Sequence, residues 1–378
     1  MTCPPDSNLW RQEPELYKVY STSYRGFGHK GYNTDMSLPI ETSVDLTPLN
    51  TLGIAASADY LIRITKPEQI PEAIAFAHAK TLPWFALGEG SNIVIGTAKL
   101  GCVVLKVELA GRTVTTAADH TDIRVGAGEN WDEFVAWTVA HNLEGIEALS
   151  LVPGTVGAAP VQNVGAYGQE VSSTITEIEA YDTQTSQSVT LSNADAQFGY
   201  RDSIFKHAGK RRYVITAVHF RLKPTTNALE PTYESLHAEL TRRGIHHPTV
   251  ADIRTAVIAI RTAKLPDPAV TPTAGSFFHN PVISADEFHK LQAAHPHIPH
   301  WPTAEGKVKL AAAWLVEQCG FKGVVKDGVG IYPKQAIALI NPGHRPAADV
   351  LDFRDYIITG VKRRFGVTLQ MEPELIEF

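Results

Sequence analysis

Two short segments place a hydroxyl and a guanidinium where they could act on a substrate that carries a carboxylate. Ser276 lies in TAGSFFHNP, after a small-residue turn, and Arg201 lies in GYRDSIFK. A serine hydroxyl is difficult to ionise, so it can donate a proton only to a strongly basic species such as a carbanion-like enolate. An arginine fork binds a carboxylate through two parallel hydrogen bonds. The alternatives are a serine that bonds its own turn and a surface ion pair between Arg201 and Asp202.

Two glycine-rich segments precede these residues and are typical of backbone that approaches a large ligand closely. LGEGSN, residues Leu87–Asn92, follows an apolar run that is typical of a strand. Backbone amides in such a turn can form a nest for a phosphate group, although an ordinary tight turn is the alternative. PGTVGAAPVQNVGAYG, residues Pro153–Gly168, is a longer segment of the same kind. Neither contains a complete GxGxxG that opens a helix, which argues against a Rossmann domain.

The composition describes a sizeable protein without the signatures of nucleic-acid or membrane binding. The chain has 378 residues, 44% of them hydrophobic, so it can form two or three compact cores. The formal net charge is −6 without a long run of one sign, and no apolar run suggests a signal peptide or a membrane span. Three widely separated cysteines fit a reducing cytoplasm. Prolines interrupt the histidine cluster His295–Trp301, where we expect an extended loop and no metal site.

Periodicity after Asn50 predicts an α+β chain in which short strands and helices alternate. Helices are predicted to begin near Pro67, to begin after Asn130 as an N-cap, and to span Lys309–Cys319 and Ala347–Phe365. Apolar and β-branched runs predict strands at Trp84–Leu87, Val103–Val107, Ile123–Val125, Ile178–Asp182, Val189–Leu191, Tyr213–Leu222, Val324–Ile331 and Ala336–Ile340.

The sequence also predicts how the chain divides into domains. Residues 1–39 mix Pro, Ser, Gly and Tyr without periodicity, so we expect a poorly ordered extension, with Met36 as an alternative start. Residues 40–262 form one domain, in lobes of about 40–108 and 109–262. The proline-rich segment KLPDPAVTPTAG, which starts at Lys264, marks a boundary near residue 263, and residues 263–378 form a second domain.

The order of these segments along the chain is itself specific. LGEGSN, PGTVGAAPVQNVGAYG, GYRDSIFK, TAKLPDP, TAGSFFHNP and the EPE of Glu372–Glu374, taken together, resemble the UDP-N-acetylenolpyruvoylglucosamine reductase family. The resemblance runs from about Asn50 to the C-terminus. It implies an FAD-binding domain of the PCMH or vanillyl-alcohol-oxidase type, with two α+β lobes and a C-terminal substrate-capping domain. It also implies non-covalent FAD, NADPH as co-substrate, and a cytoplasmic protein that we expect to be a monomer.

The resemblance further assigns roles to individual residues. The catalytic residues would be Arg201, Ser276 and Glu374, with Glu372 as the competing carboxylate. The cofactor-binding residues would be Gly88, Glu89, Gly90, Ser91, Asn92, Gly154, Gly157, Asn163 and Gly165. The substrate-binding residues would be Tyr167, Tyr233, Lys264, Asn280 and Gln335. Tyr233 resembles the mobile tyrosine of the longer branch of the family, and many relatives have lysine at the position of His279.

The implied reaction has two halves and belongs to peptidoglycan precursor synthesis. NADPH would reduce the flavin, and the hydride would then pass to C3 of UDP-N-acetylglucosamine enolpyruvate. Arg201 and Glu374 would stabilise the enolate, and Ser276 would protonate C2 to give UDP-N-acetylmuramate. Two alternatives stay open, a flavin oxidase of the same fold that acts on sugars or alcohols and a non-enzymatic sensor of nucleotide sugars. The combination of Ser276, Arg201 and Glu374 favours the reductase.

Overall fold

The computed structural model describes residues 38–303 and 305–378, and all elements given below lie within them. The predictions of a poorly ordered extension and of a start at Met36 concern residues that lie outside the described ones, apart from positions 38 and 39. Residues 38–378 cluster into one unit. In the described part of the chain, no helix is both long and apolar enough to cross a membrane.

The first lobe is a four-stranded sheet covered by one helix. Its elements are β1 (Ile40–Asp45), β2 (Ser57–Ile64), α1 (Gln69–Ala79), β3 (Trp84–Leu87), β4 (Ile93–Ile95) and β5 (Lys99–Val107). The strand order is β1-β2-β5-β3, with β5 parallel to both neighbours and β1 antiparallel to β2. As predicted, α1 begins just after Pro67, and it buries Ile70, Ile74 and Ala77 on one face.

The second lobe is an antiparallel sheet with three helices. Its elements are β6 (Arg112–Thr116), β7 (Thr121–Gly126), α2 (Trp131–Ala140), β8 (Leu143–Glu144), β9 (Gly165–Ala166), β10 (Gln169–Glu170), β11 (Ile175–Asp182), β12 (Gln187–Ser192), β13 (Tyr213–Pro224), α3 (Glu234–Arg242) and α4 (Val250–Lys264). The order is β12-β11-β13-β7-β6, and β8 pairs with the end of β13. The predicted N-cap is confirmed, because the Asn130 side chain accepts a hydrogen bond from the Glu133 amide at 3.0 Å.

The C-terminal region contains two small sheets and three helices, and its last strand returns to the first lobe. Its elements are β14 (Thr273–Ser276), β15 (Val282–Ile283), α5 (Ala285–Ala294), β16 (His300–Pro302), β17 (Val308–Leu310), α6 (Ala312–Gln318), β18 (Val325–Lys326), β19 (Val329–Ile331), β20 (Ala338–Ile340), α7 (Ala347–Phe365) and β21 (Glu374–Ile376). The sheet orders are β14-β20-β19-β18 and β15-β17-β16, while β21 pairs with β4 in parallel. The prediction for α7 is confirmed, including its left-handed stop at Gly366.

Two of the predicted elements are wrong in detail. The helix predicted over Lys309–Cys319 begins only at Ala312, because Lys309 and Leu310 pair in β17 and the Asn280 side chain accepts the Ala312 amide at 3.0 Å. The single strand predicted over Val324–Ile331 is a hairpin of β18 and β19, which turns at Asp327 with φ of 52°. The turn coincides with the Asp327-Gly328 pair that interrupts the apolar run, a dipeptide typical of hairpins, whereas the cap of α6 comes from a distant residue.

The two main cores are shared between regions of the chain. On β2, Leu61 packs with Phe277 and the rest of the C-terminal core, while the neighbouring Ile62 packs with Phe134 and Phe220 of the second lobe. Alternate residues of a strand face opposite sides, so this one sheet separates the two cores. Each fully buried large apolar side chain contributes roughly 1.5–3 kcal/mol to folding. The C-terminal region therefore folds directly onto the first lobe.

Candidate active site

A deep cleft lies between the loop that follows β3, the loop that follows β8, and the returning C-terminus. It encloses about 1420 Å³, including the part that is open to solvent. Its polar lining includes Lys206, Lys210, Arg211, Glu372, Glu374 and the segments 88–92, 153–155 and 157–159.

The side chain of Glu89 fastens the two glycine-rich loops to each other. Its carboxylate accepts hydrogen bonds from the Asn130 side-chain amide at 2.7 Å and from the Gly154 backbone amide at 2.9 Å. Ser91 donates from its hydroxyl to the Pro153 carbonyl at 3.3 Å, and the Asn92 side chain donates to Gln162. Three predicted cofactor-binding side chains are therefore engaged in holding the loops, and the backbone is left to face a ligand.

The glycines of these loops are required by close packing. Gly90 has φ of +66°, and a Cβ atom there would lie 2.1 Å from the Leu49 carbonyl oxygen. A Cβ at Gly157 would lie 2.6 Å from the Ala127 Cβ. Only glycine allows both the left-handed conformation and this approach. Glycine at these positions was predicted because the loops approach a ligand. The structure shows a second reason, which is that the loops also pack closely against the rest of the protein.

The lining of the cleft fits FAD. The loops present backbone, and Lys206, Lys210 and Arg211 supply positive charge that suits a diphosphate. Trp84, Phe85 and other apolar residues form a wall that suits a flat ring system. Neither a histidine nor a cysteine is among the described residues that line the cleft, so these residues offer no attachment point for a covalent flavin.

Two of the predicted cofactor-binding residues lie outside this lining. The buried Asn163 side chain donates to Glu170 and to the Gly199 carbonyl, and it accepts from the Ser172 amide. The Gly165 carbonyl accepts a hydrogen bond from the Arg201 guanidinium. Both residues therefore support the turn that carries Arg201.

Arg201 occupies a strained turn at the edge of the cleft. Its φ is 55°, which is uncommon for a residue with a side chain and frequent at functional sites. Besides the contact with Gly165, its Nε lies 3.2 Å from Glu372 Oε1. The Lys206 ammonium donates to the Arg201 carbonyl at 3.0 Å. The guanidinium is thus held in place from two sides.

Backbone pairing brings the Ser276 segment beside the EPE segment. The Glu372 amide donates to the Phe277 carbonyl at 2.9 Å, and the His279 amide donates to the Gln370 carbonyl at 2.9 Å. Ser276 is half-buried at the end of β14, next to Phe277. The structure therefore places the predicted proton donor on the chain segment that contacts Glu372, which in turn contacts Arg201.

The two glutamates of EPE have different partners. Glu374 lines the cleft and lies 2.9 Å from the Lys210 ammonium. Glu372 is the carboxylate next to Arg201, and burial raises its pKa in spite of the nearby Arg201 and Lys206 charges. The spacing of the motif could not distinguish them, because both residues lie on the cleft side of the returning chain.

His279 lies largely buried beside the same carboxylate. Its Nδ1 lies 3.8 Å from Glu372 Oε2 and has no hydrogen-bond partner. Burial, followed by the charges of Lys206 and Arg201, lowers the pKa of His279 to about 4. The imidazole is therefore neutral at neutral pH. Sequence reasoning named His279 without assigning a role to it.

The predicted substrate-binding residues do not meet in one pocket. The Tyr167 and Tyr233 rings pack edge to face at 5.5 Å, and Tyr233 is 45% exposed. Lys264 is exposed at the end of α4, beside a shallow groove between α3 and α4. Asn280 caps α6, and Gln335 lies in the turn between β19 and β20. Their roles toward a substrate stay predictions.

The described residues contain no group of three or more His, Cys, Asp or Glu side chains that could hold a metal ion. Within the cluster His295–Trp301, the predicted extended loop is correct only in part, because His300 and Trp301 enter β16. This short strand pairs with β17, and that pairing gives the segment a structural role.

A two-lobed α+β fold around a glycine-lined cleft, with a C-terminal region returning to it, agrees with the class that the comparisons show, the FAD-binding oxidoreductases. Residues 58–192 match an FAD-binding domain model, and residues 267–376 match the model of the UDP-N-acetylenolpyruvoylglucosamine reductase C-terminal domain. The solved UDP-N-acetylenolpyruvylglucosamine reductase of Thermus caldophilus superimposes with a TM-score of 0.62 at 20% identity, over 90% of this chain and 100% of that one. The 6-hydroxy-D-nicotine oxidase of Arthrobacter nicotinovorans has a TM-score of 0.51 at 13% identity, over 89% and 88%.

The sequence identity to curated relatives shows to which family the chain belongs. The UDP-N-acetylenolpyruvoylglucosamine reductase of Azoarcus sp. is 44% identical over 90% of this chain and 98% of its own length. That of Chromobacterium violaceum is 42% identical over 90% of this chain and 100% of its own length. The chain therefore belongs to the UDP-N-acetylenolpyruvoylglucosamine reductase family and is an FAD-dependent oxidoreductase.

Proposed function

We propose that this protein reduces UDP-N-acetylglucosamine enolpyruvate to UDP-N-acetylmuramate with NADPH, as a cytoplasmic monomer in peptidoglycan precursor synthesis. The observation that carries the proposal is the meeting of the Ser276 segment, the EPE segment and Arg201 at the edge of the flavin cleft. A proton donor and a carboxylate-binding cation are what reduction of an enolpyruvyl ether requires. The family membership of the chain supports the same substrate.

The loop segments 88–92 and 153–159 would hold FAD in the cleft, where it would supply the hydride for C3 of the enolpyruvyl group, with NADPH as the source of reducing equivalents. Arg201 binds the substrate carboxylate and stabilises the negative charge that develops there as the enolate forms. Its fork is held ready by Gly165 and Glu372, so little reorganisation is needed. Ser276 delivers a proton to C2. A proton from a hydroxyl is adequate because the enolate carbon is strongly basic.

Glu374 and the predicted substrate-binding residues take supporting roles in this proposal. Glu374, paired with Lys210 in the cleft, acts with Arg201 at the place where the enolate forms. Tyr167, Tyr233, Lys264, Asn280 and Gln335 bind the nucleotide sugar. Because these residues are spread over several elements, binding of the diphosphate requires the half-exposed Tyr233 to move toward the cleft.

An anaerobic experiment tests the proposed function. The flavin-loaded protein is mixed first with NADPH and then with UDP-N-acetylglucosamine enolpyruvate, while the visible flavin spectrum is followed. The proposal predicts bleaching in the first step and recovery of the oxidised spectrum in the second. Recovery only with oxygen would indicate an oxidase, and a protein that binds the nucleotide sugar without bleaching would be a sensor.

A further inference from the structure

Glu372, Arg201 and His279 form a largely buried trio at the edge of the cleft. The Glu372 side chain is 13% exposed, and its two oxygens face different partners, Arg201 Nε at 3.2 Å and His279 Nδ1 at 3.8 Å. The His279 Nδ1 atom is buried and has no hydrogen-bond partner. A buried polar atom without a partner is unfavourable, and Nδ1 accepts a hydrogen bond in the tautomer that carries its proton on Nε2. A protonated Glu372 would supply the donor after a small adjustment of its side chain.

We propose that Glu372 takes up one proton from solvent when the carboxylate of the substrate binds opposite Arg201. Two carboxylates would otherwise share one guanidinium, and neighbouring like charges favour protonation of one of them. Glu372 becomes a neutral acid, and its hydroxyl donates to His279 Nδ1. The proton returns to solvent when the product, which keeps the carboxylate, leaves. This inference rests on the proposed function.

The surrounding charges support this assignment of the proton. Burial already raises the pKa of Glu372, while the charges of Arg201 and Lys206 act to lower it. When the substrate carboxylate binds Arg201, the larger of these two lowering effects is offset. The lowered pKa of His279, about 4, keeps the imidazole a neutral acceptor rather than a competing cation. The other ionisable groups near the trio are Tyr200, Asp202, Glu170 and the pair of Lys210 with Glu374.

Calorimetry measures the proton directly. The enolpyruvyl nucleotide is titrated into the oxidised, flavin-loaded protein without NADPH, in buffers of different ionisation enthalpy at pH 7.5–8. We expect uptake of about one proton per substrate molecule. The affinity for the substrate should weaken by up to tenfold for each pH unit above the pKa of Glu372 in the substrate-free protein. UDP-N-acetylglucosamine carries the diphosphate but lacks the carboxylate, so its binding should take up no proton.

Three variants test which residue holds the proton. Glu372→Gln resembles the protonated acid and should bind substrate without proton uptake and with an affinity independent of pH. His279→Lys places a permanent charge beside Glu372, keeps it ionised, and should also abolish the uptake. His279→Gln, the matched control, keeps a neutral acceptor at this position and should retain uptake of about one proton.

The outcomes separate this inference from the proposed function. Substrate binding with no proton uptake in the unmodified protein would overturn the role of Glu372 and leave the reductase intact. Retention of the full uptake in Glu372→Gln would overturn it as well, by assigning the proton to another group. Failure of the unmodified protein to bind the enolpyruvyl nucleotide at all would overturn both proposals. A fold check by flavin fluorescence accompanies each variant.

Discussion

The two walls of the cleft are built in different ways. On the cofactor wall, the side chains of Glu89, Ser91 and Asn92 bond to neighbouring loops, and the ligand meets backbone. On the substrate wall, Arg201 and Glu372 present charged side chains, and His279 adds a buried acceptor. A wall of backbone suits a cofactor that stays in place. The side chains behind it are fully engaged in hydrogen bonds between the loops, and these bonds keep the wall rigid. Charged side chains and a strained backbone turn on the other wall serve a ligand that reacts and leaves.

The largest effect is expected on the substrate wall. Ser276→Ala should slow flavin reoxidation by the enolpyruvyl substrate roughly 10²–10⁴-fold, because a positioned general acid is lost. Reduction of the flavin by NADPH should remain nearly unchanged. Stopped-flow absorbance measures both half-reactions separately. Equal losses in the two half-reactions would assign Ser276 a structural role in place of a chemical one.

On the cofactor wall, the largest change is expected from Gly90→Ala. The new Cβ would meet the Leu49 carbonyl oxygen at 2.1 Å in a backbone with φ of +66°, so we expect a loss of about 3 kcal/mol or more in unfolding free energy. Gly244→Ala is the matched control, since its φ is +71° and no atom lies within 4 Å. In Gly244→Ala, conformational strain alone should lower the free energy of unfolding by about 1 kcal/mol. Denaturant unfolding that gives equal losses would contradict the steric argument.

A smaller effect is expected when the two loops of the cofactor wall are disconnected. Glu89→Ala leaves the Asn130 side chain and the Gly154 amide without their acceptor, which costs roughly 1–3 kcal/mol per buried group. We expect FAD to bind about 10- to 100-fold more weakly, as measured by flavin fluorescence. Glu133→Ala on the exposed face of α2 is the control and should change the affinity less than about twofold. Unchanged affinity in Glu89→Ala would show that the loops hold their shape independently.

The smallest effect is a pH dependence on the substrate wall. The pKa of His279 is about 4 in the folded protein and about 6.5 unfolded, so the unfolded chain binds more protons between these values. Stability should therefore fall as the pH drops from 6.5 toward 4, by on the order of 2 kcal/mol from this residue. His279→Gln removes this term, so its unfolding free energy should change less between pH 7 and pH 5. Parallel pH curves for the two proteins would contradict the burial of a neutral imidazole.

Sequence reasoning succeeded where local chemistry determines the structure. The Asn130 cap, the glycine stop after α7 and the long apolar alternation of β13 are all determined by neighbouring residues. The resemblance to the family likewise identified both loops of the cleft. Helix α6 was predicted too long because its start depends on Asn280, which lies 32 positions earlier in the chain.

The candidate site was less predictable because its contacts join distant parts of the chain. Glu89 meets Gly154 across 65 positions, and no pattern within LGEGSN indicates that its carboxylate is already bound. Asn163 was expected at the cofactor, but its amide is used inside the protein. The choice between Glu372 and Glu374 as the partner of Arg201 depends on how the returning chain pairs with Phe277, which spacing alone does not reveal.

The most direct test of the central claim is the anaerobic half-reaction sequence followed by flavin absorbance. The account predicts that NADPH bleaches the oxidised flavin band and that UDP-N-acetylglucosamine enolpyruvate restores it without oxygen, with one equivalent of UDP-N-acetylmuramate formed. A band that stays bleached until oxygen is admitted would contradict the account, since the chemistry assigned to Arg201 and Ser276 would then have no substrate.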